Sequence, residues 1–196
     1  ELSNTDQKRK IIQTDHISDG RGFEYFDLLY AACGDRVPIH FAHYSYSRRT
    51  FKSLIVHPVL LKEFNNHWYV IGFSEEHQGL RTFGLDRIYD PIPIRKVFQD
   101  TSELVVNEYL NDVYGVYPLH DGIKEKIILH AKPMITNYFR AQKIHHSQKL
   151  KMRDSGDAII SFELIPSMEF VSLILSYGKQ IRVVEPAHLA QTVKKY

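Results

Sequence analysis

The sequence has few of the features that mark secreted or membrane-spanning proteins. It contains a single cysteine, Cys33, so no disulfide can form within the chain, which fits a reducing compartment. No apolar run approaches the roughly 18 residues that a membrane-spanning helix needs. The polar first residues lack the apolar segment of a secretory signal. We therefore expect a cytoplasmic protein without a membrane partner.

Motifs for catalysis and metal binding are also missing. The chain has no Gly-x-Ser-x-Gly, no glycine-rich phosphate loop and no His-Glu-x-x-His. Among its 11 histidines, His40 and His43 would face opposite sides of a strand, and the adjacent His145 and His146 meet the same objection. We expect no enzyme activity, no metal site and no cofactor.

The distribution of charged residues divides the chain into blocks. Residues 36–95 carry eight basic and five acidic side chains, residues 96–123 carry one and five, and residues 124–196 carry twelve and six. This distribution is either chance variation among solvated faces or the mark of two modules with some affinity for anions. The acidic, irregular stretch at 96–122 is predicted to be a linker.

The first block predicts a helix followed by short strands. Residues 1–22 are polar and are predicted to be an arm or linker. Apolar residues spaced i, i+3, i+4 and i+7 predict a helix over residues 23–33, ended by Gly34. Tight turns then separate several β-rich runs, with Pro58 expected to end one of them. The block at 23–95 is therefore predicted to be one domain, built on a small five-stranded β-barrel or on a strongly bent sheet. Strand candidates lie at residues 37–46, 50–57, 67–73 and 80–85, with a short apolar run at 59–64 and a short extended piece at 88–94.

The second block, residues 123–196, has a different pattern of predicted secondary structure. Strand-like and helix-like runs alternate in the order β-α-β-β-α-β-α, with helices predicted at 133–141, 166–177 and 187–195. The first six elements match the split βαβ, ferredoxin-like arrangement. The predicted fold class is therefore α+β, with a barrel followed by a ferredoxin-like domain.

Residues 58–88, PVLLKEFNNHWYVIGFSEEHQGLRTFGLDRI, resemble the core of the WYL family. The family pattern is a proline-led apolar segment, a polar turn, Trp-Tyr-Leu opening a strand, a polar loop, and a strand ending in Leu-Asp-Arg-Ile. Here the triplet is Trp68-Tyr69-Val70, and the ending is matched in full by Leu85-Asp86-Arg87-Ile88. Ile39-x-Phe41 also fits, whereas His43 stands where a tyrosine is common.

The C-terminal block resembles the extension, named WCX, that follows many WYL domains. His145-His146-Ser147-Gln148 is similar to a segment of the Bacteroidetes branch, and residues 174–186, ILSYGKQIRVVEP, are similar to the last helix, turn and strand of the extension. The resemblance implies an Sm-like or SH3-like barrel in a bacterial transcription regulator without enzymatic activity. Some members respond to single-stranded DNA or nucleotides.

The family's usual architecture begins with a winged helix-turn-helix domain. This chain carries no such motif and does not begin with Met, so we expect a DNA-binding domain to be missing upstream. Regulators of this kind read paired half-sites, which predicts a homodimer.

A barrel that binds a nucleic acid or nucleotide needs basic donors for phosphate and flat rings for bases. The predicted ligand-binding residues are His57, Tyr69, Arg81 and Arg87, with Arg81 and Arg87 on one side of a strand if no bulge intervenes. Further candidates are His43, Arg48, Arg49, Lys62 and Trp68.

Each of these candidates has a structural alternative. Arg48 and Arg49 could be solvated surface charges, and Arg87 could form an ion pair with Asp86 or Asp90. Trp68 and Tyr69 point to opposite faces of a strand, so both cannot line one pocket, and a core position is favoured for the tryptophan.

Two functions from different classes stay open on the sequence. The first is an effector-sensing module, which predicts a basic, ring-lined surface on the barrel. The second is a dimerisation scaffold with no small ligand of its own, which predicts an apolar interface there. An enzyme would need paired acid and base groups, for which the sequence offers no motif.

Overall fold

A computed structural model describes residues 20–100, 110–119 and 122–196 of the chain. It contains two antiparallel sheets, each with its own cluster of buried apolar side chains. Most of the predicted N-terminal arm and part of the predicted linker lie outside these residues.

The first sheet has five strands in the order β4-β3-β2-β1-β5, and every neighbouring pair is antiparallel. Helix α1, Phe26–Asp35, precedes it after a short 3-10 turn. The helix runs through Gly34, because Arg36 takes the left-handed conformation at its end and donates its N–H to the Ala32 carbonyl. The strands are β1 Ile39–Ser45, β2 Thr50–Phe64, β3 His67–Ser74, β4 Gly79–Gly84 and β5 Ile88–Pro93.

Strand β2 runs through Pro58 and combines the strand predicted at 50–57 with the separate apolar run at 59–64. The pairing with β3 shifts register between Pro58 and Leu60. A bulge of this kind leaves one residue out of the ladder, so a proline without an N–H is tolerated inside a long strand. The prediction that Pro58 ends a strand was therefore wrong.

The predicted small barrel does not close into a ring of strands, and the first sheet is open. Strands β4 and β5 are the two edges of the sheet and do not pair with each other in the part of the chain that the structure describes. A 3-10 turn, Leu85–Arg87, connects them. One face of this sheet, the inner face, carries the core, and α1 contributes Leu29 and Ala32 to it. Helix α1 thus covers part of the apolar inner face of this open sheet.

The second sheet has the order β7-β8-β6-β9, again with antiparallel neighbours. Its elements follow one another as β-α-β-β-α-β-α, as the sequence predicted. Alternate residues of β6 and β8 are buried, which packs one face of the sheet against the helices. The strands are β6 Glu125–Ala131, β7 Lys149–Met152, β8 Ala158–Leu164 and β9 Ile181–Glu185, and the helices are α2 Pro133–Ala141, α3 Met168–Ser176 and α4 Ala187–Lys195.

The segment 112–119 joins the two halves. Its backbone is bonded to the second half, where the Leu119 N–H donates to the Pro166 carbonyl at 2.7 Å and the Met168 N–H donates to the Tyr117 carbonyl at 3.1 Å. Its side chains contact the first half of the chain, where the Tyr117 hydroxyl accepts from Arg87 and the Tyr114 ring meets that of Phe64. The segment is therefore in contact with both halves.

Candidate functional site

At one end of the strands of the first sheet, the buried apolar side chains are replaced by polar ones. On the inner face of β1, Phe41 is buried, and the next residue on that face, His43, pairs with Lys52 of β2. On β4, the buried Phe83 is preceded on the same face by Arg81, which is exposed. The apolar rows therefore give way to basic side chains from three strands.

Strand direction explains why these side chains meet. Because neighbouring strands run antiparallel, the C-terminal ends of β1 and β3 and the N-terminal ends of β2, β4 and β5 lie at the same end of the sheet. The β1–β2 turn contributes Arg48 to this end, the β3–β4 loop contributes His77, and the 3-10 turn before β5 contributes Arg87. We call this set the basic rim; it consists of His43, Arg48, Lys52, His77, Arg81 and Arg87.

The charges of the basic rim act on its histidines. The pKa of His77 is lowered by burial and then by the positive charges of Arg81, Lys52 and Arg48. Burial, followed by the charge of Arg87, lowers the pKa of His43 to about 4. Both rings are therefore neutral at pH 7, and the rim's positive charge comes from its arginines and lysine.

Arg87 lies between two aromatic rings. Its guanidinium carbon is 5.7 Å from the centre of the Tyr46 ring and 5.4 Å from that of Tyr117. It donates to the Tyr117 hydroxyl, and its Nε lies 3.7 Å from Oδ1 of Asp86. The other oxygen of Asp86, Oδ2, accepts from the Tyr46 hydroxyl at 3.0 Å. The ion pair with Asp86 that the sequence left open is thus present, and it orients the guanidinium.

His43 leaves one polar atom without a partner. Its Nε2 is buried and makes no hydrogen bond to any residue that the structure describes, and its ring meets Phe83 edge-on at 5.2 Å. Burying a polar atom unsatisfied costs about 1–3 kcal/mol. Such an atom beside a cluster of cations is suited to contact a ligand.

His57, a predicted ligand residue, lies away from the basic rim, in the interior. It is 0% exposed, its Nδ1 accepts from the Gln99 N–H at 2.9 Å, and its Nε2 lies 2.9 Å from a carboxylate oxygen of Glu75. Because Nδ1 accepts, the proton is on Nε2, which donates to Glu75. Hydrogen bonds from Lys96 and then from His57 lower the pKa of Glu75. His57 therefore holds chain segments together.

Lys62 and Trp68 also lie away from the rim, whereas Tyr69 lies next to Tyr117, the residue that accepts from Arg87, and is close enough for the charge of Arg87 to act on it. Tyr69 and Lys62 pair across β3 and β2, where the Lys62 ammonium donates to the Gly115 carbonyl at 2.7 Å and the Tyr69 ring meets that of Tyr117 at 5.7 Å. Burial lowers the pKa of Lys62 and raises that of Tyr69. Trp68 packs at 4.8 Å against Phe26 in the core.

Of the predicted ligand residues, the structure thus brings together His43, Arg48, Arg81 and Arg87, and it places Tyr69 next to Tyr117, which bonds to Arg87. Arg49 occupies the exposed β1–β2 turn with a φ of 54°. The sequence reasoning missed Lys52, His77, Tyr46 and Tyr117, whereas it had named Asp86 as a partner of Arg87. Two-residue alternation back from the apolar Leu54 could have identified Lys52. No local pattern connects Tyr117 with Arg87, which is 30 residues away.

We expect the unusual pKa of His43 to make stability depend on pH. The unfolded ring takes up a proton near pH 6.5 and the folded ring only near pH 4, so its contribution to stability is complete above pH 6.5 and is lost as the pH falls from 6.5 to 4. The ring is only partly buried, so solvent screening reduces this loss to about 1–2 kcal/mol. Urea unfolding between pH 4 and 7 should show a shallower pH dependence for His43→Phe than for the wild type. Parallel profiles would contradict the assignment.

The described residues form neither a cluster of metal ligands nor a membrane-spanning helix. Within residues 20–100, 110–119 and 122–196, no three His, Cys, Asp or Glu side chains are placed to hold a metal ion. No helix in this part of the chain is long and apolar enough to cross a membrane.

Comparisons with known proteins identify two domains. The WYL domain family matches residues 24–92, and the WCX domain family matches residues 125–196. Together these matches cover more than two thirds of the chain. No curated protein matches it.

Two solved structures are similar over 89% of the chain. One is proteasome accessory factor B/C (PafBC) of Arthrobacter aurescens, at 15% identity and a TM-score of 0.39, of which the chain covers 26%. The other is described as a CRISPR Cas-related protein, at 12% identity and a TM-score of 0.59, of which it covers 49%. The chain thus spans about a quarter and about half of their lengths, and the second shares its fold.

Proposed function

Since this chain belongs to the WYL-domain family and carries a WCX domain behind its WYL domain, we propose that it is the effector-sensing part of a bacterial transcription regulator. The effector is a single-stranded nucleic acid or a nucleotide, and its phosphate binds at the basic rim. DNA binding is assigned to a separate winged helix-turn-helix domain, and the regulator works as a homodimer without catalytic activity.

The convergence of the basic rim is the observation that carries this proposal. Basic side chains from strands, a turn and two connections meet at one end of the sheet. Their four positive charges repel one another and are offset only in part by the carboxylates of Asp86 and Glu76, so an additional anion is favoured there. Arginine forks suit phosphate because they donate two parallel hydrogen bonds. The unpartnered Nε2 of His43 supplies one more polar contact beside them.

The contacts of Arg87 support a regulatory role. A phosphate that takes hydrogen bonds from Arg87 competes with the Tyr117 hydroxyl, and Tyr117 belongs to the segment bonded to the WCX domain. Effector binding would thereby change how the two domains are held together. The scaffold alternative expects apolar surface at this end of the sheet, which the exposed Arg48, Lys52 and Arg81 disfavour.

Binding of a 5′-phosphorylated thymidine tetranucleotide to the purified chain tests the proposal. We expect Arg81→Gln to weaken binding about tenfold or more, because one charge-assisted contact contributes about 1.5–3 kcal/mol. Affinity should also fall steeply between about 50 and 200 mM salt as phosphate contacts release counterions.

The matched control is Lys149→Gln, which removes one exposed positive charge from β7 in the WCX domain. It should bind as the wild type does. No binding at low salt, or equal binding by Arg81→Gln and the wild type at every salt concentration, would contradict effector binding at the basic rim and favour the dimerisation scaffold.

A further inference from the structure

The outer face of the first sheet, opposite the core, carries a continuous row of aromatic rings. Tyr44 and Phe51 lie directly across from each other on β1 and β2, with ring centres 4.9 Å apart. Phe51 continues to Tyr89 at 5.0 Å, and Tyr44 continues to Tyr46 at 5.7 Å. We call these four side chains the aromatic row.

Much of this apolar surface is open to solvent. Tyr46 is 60% exposed and Phe51 is 56% exposed. Isolated exposed rings are common on protein surfaces, but a contiguous set of them marks a surface that binds something.

Each end of the aromatic row meets an arginine. At the Tyr46 end the guanidinium of Arg87 lies 5.7 Å from the ring centre, which connects the row to the basic rim. At the Tyr89 end the guanidinium of Arg21 lies 4.3 Å above the ring. The turn that carries Tyr46 also carries Arg48 and Arg49. Flat apolar rings are thus flanked by cations, and the row starts where the proposed phosphate contact lies.

We propose that the aromatic row is a stacking track for single-stranded nucleic acid, along which bases pack after a phosphate has been bound at the basic rim. The inference rests on the proposed function and extends it, since it makes the effector a strand of several nucleotides. Every base has a flat face that stacks on an aromatic side chain whatever its identity, so the track tolerates many sequences. Arg21 provides a second cation for the phosphates farther along the strand.

Charge favours a nucleic acid over a second copy of this chain as the occupant. In a two-fold dimer the same patch would face itself, which brings arginines of one copy towards arginines of the other. A strand of nucleic acid instead presents phosphates to these arginines and bases to the rings.

The test compares thymidine oligonucleotides of one, two, four and eight residues, each with a 5′-phosphate, and the matching uridine oligonucleotides. For the wild type, affinity should rise with length. Phe51→Leu and Phe51→Thr should leave mononucleotide binding unchanged and weaken octanucleotide binding about tenfold, because one stacking ring is lost. Leucine keeps apolar volume but no flat face, so a merely structural ring would be rescued by Phe51→Leu. Tyr46 is left intact because its hydroxyl bonds to Asp86 beside Arg87.

The matched control is Tyr138→Thr, which removes a 65% exposed ring from α2 in the WCX domain and should change nothing. An affinity that does not grow with length, or Phe51 variants that bind the octanucleotide as the wild type does, would overturn the track while the rim stays supported by Arg81→Gln. If neither DNA nor RNA binds at low salt, both proposals are wrong. Sedimentation in which Phe51→Leu dissociates a dimer without affecting octanucleotide binding would show that a second copy covers the row.

Discussion

His57→Ala is expected to lower the free energy of unfolding by about 3–5 kcal/mol. The ring is fully buried, packs at 5.3 Å against Phe98 and at 6.1 Å against Phe73, and its truncation leaves a cavity. The change also removes the acceptor of the Gln99 N–H and the donor to Glu75, two hydrogen bonds that alanine cannot make. Few substitutions in this domain combine both losses.

Urea unfolding followed by the fluorescence of Trp68 measures this effect, because the single tryptophan lies in the WYL core. His67→Ala is the matched control, since His67 is exposed at the start of β3 and should cost little. The milder His57→Phe, which keeps the volume but not the hydrogen bonds, should remain folded and bind the tetranucleotide with wild-type affinity. A His57→Ala protein as stable as the wild type would contradict the structural role, and weakened binding by His57→Phe would restore the ligand role that the sequence predicted.

Reversing two charges of the basic rim, Lys52→Glu with Arg81→Glu, should lower the affinity for the tetranucleotide at least a hundredfold. Each change replaces an attraction to phosphate by a repulsion, and two lost charge-assisted contacts alone account for about 3–6 kcal/mol. Both side chains are exposed, so the fold should tolerate the replacement. The same variant should titrate His77 at a higher pH, because Arg81 and Lys52 both lower its pKa.

Lys149→Glu with Lys151→Glu is the control for net charge. It makes the same change in total charge on exposed positions of β7, in the other domain. We expect at most a few-fold loss of affinity, largely at low salt. Equal losses in the two double variants would mean that nucleic acid responds to the overall charge of the protein, and the basic rim would then have no special role.

Local patterns predicted the helices and strands of the WCX domain closely. The helices at 133–141 and 187–195 were expected at the bounds they have, since apolar spacing and the prolines at their starts act within a few residues. Two-residue alternation placed Arg81 and Arg87 on one side of a strand if no bulge intervened, and Arg81 lies on the face that carries Phe83. It failed for Arg87, because the 3-10 turn at 85–87 takes that residue out of the strand.

The sequence by itself therefore determined the two domains, the order of the elements in the second of them, and four of the six side chains that form the basic rim. Only the tertiary structure decided that the first sheet stays open, that His57 is buried with both ring nitrogens bonded, and that Tyr117 comes to lie against Arg87. The physical reason is range. Helix ends and strand faces follow from neighbours a few residues apart, whereas edge pairing, burial and domain contacts depend on segments distant in sequence whose packing energies compete.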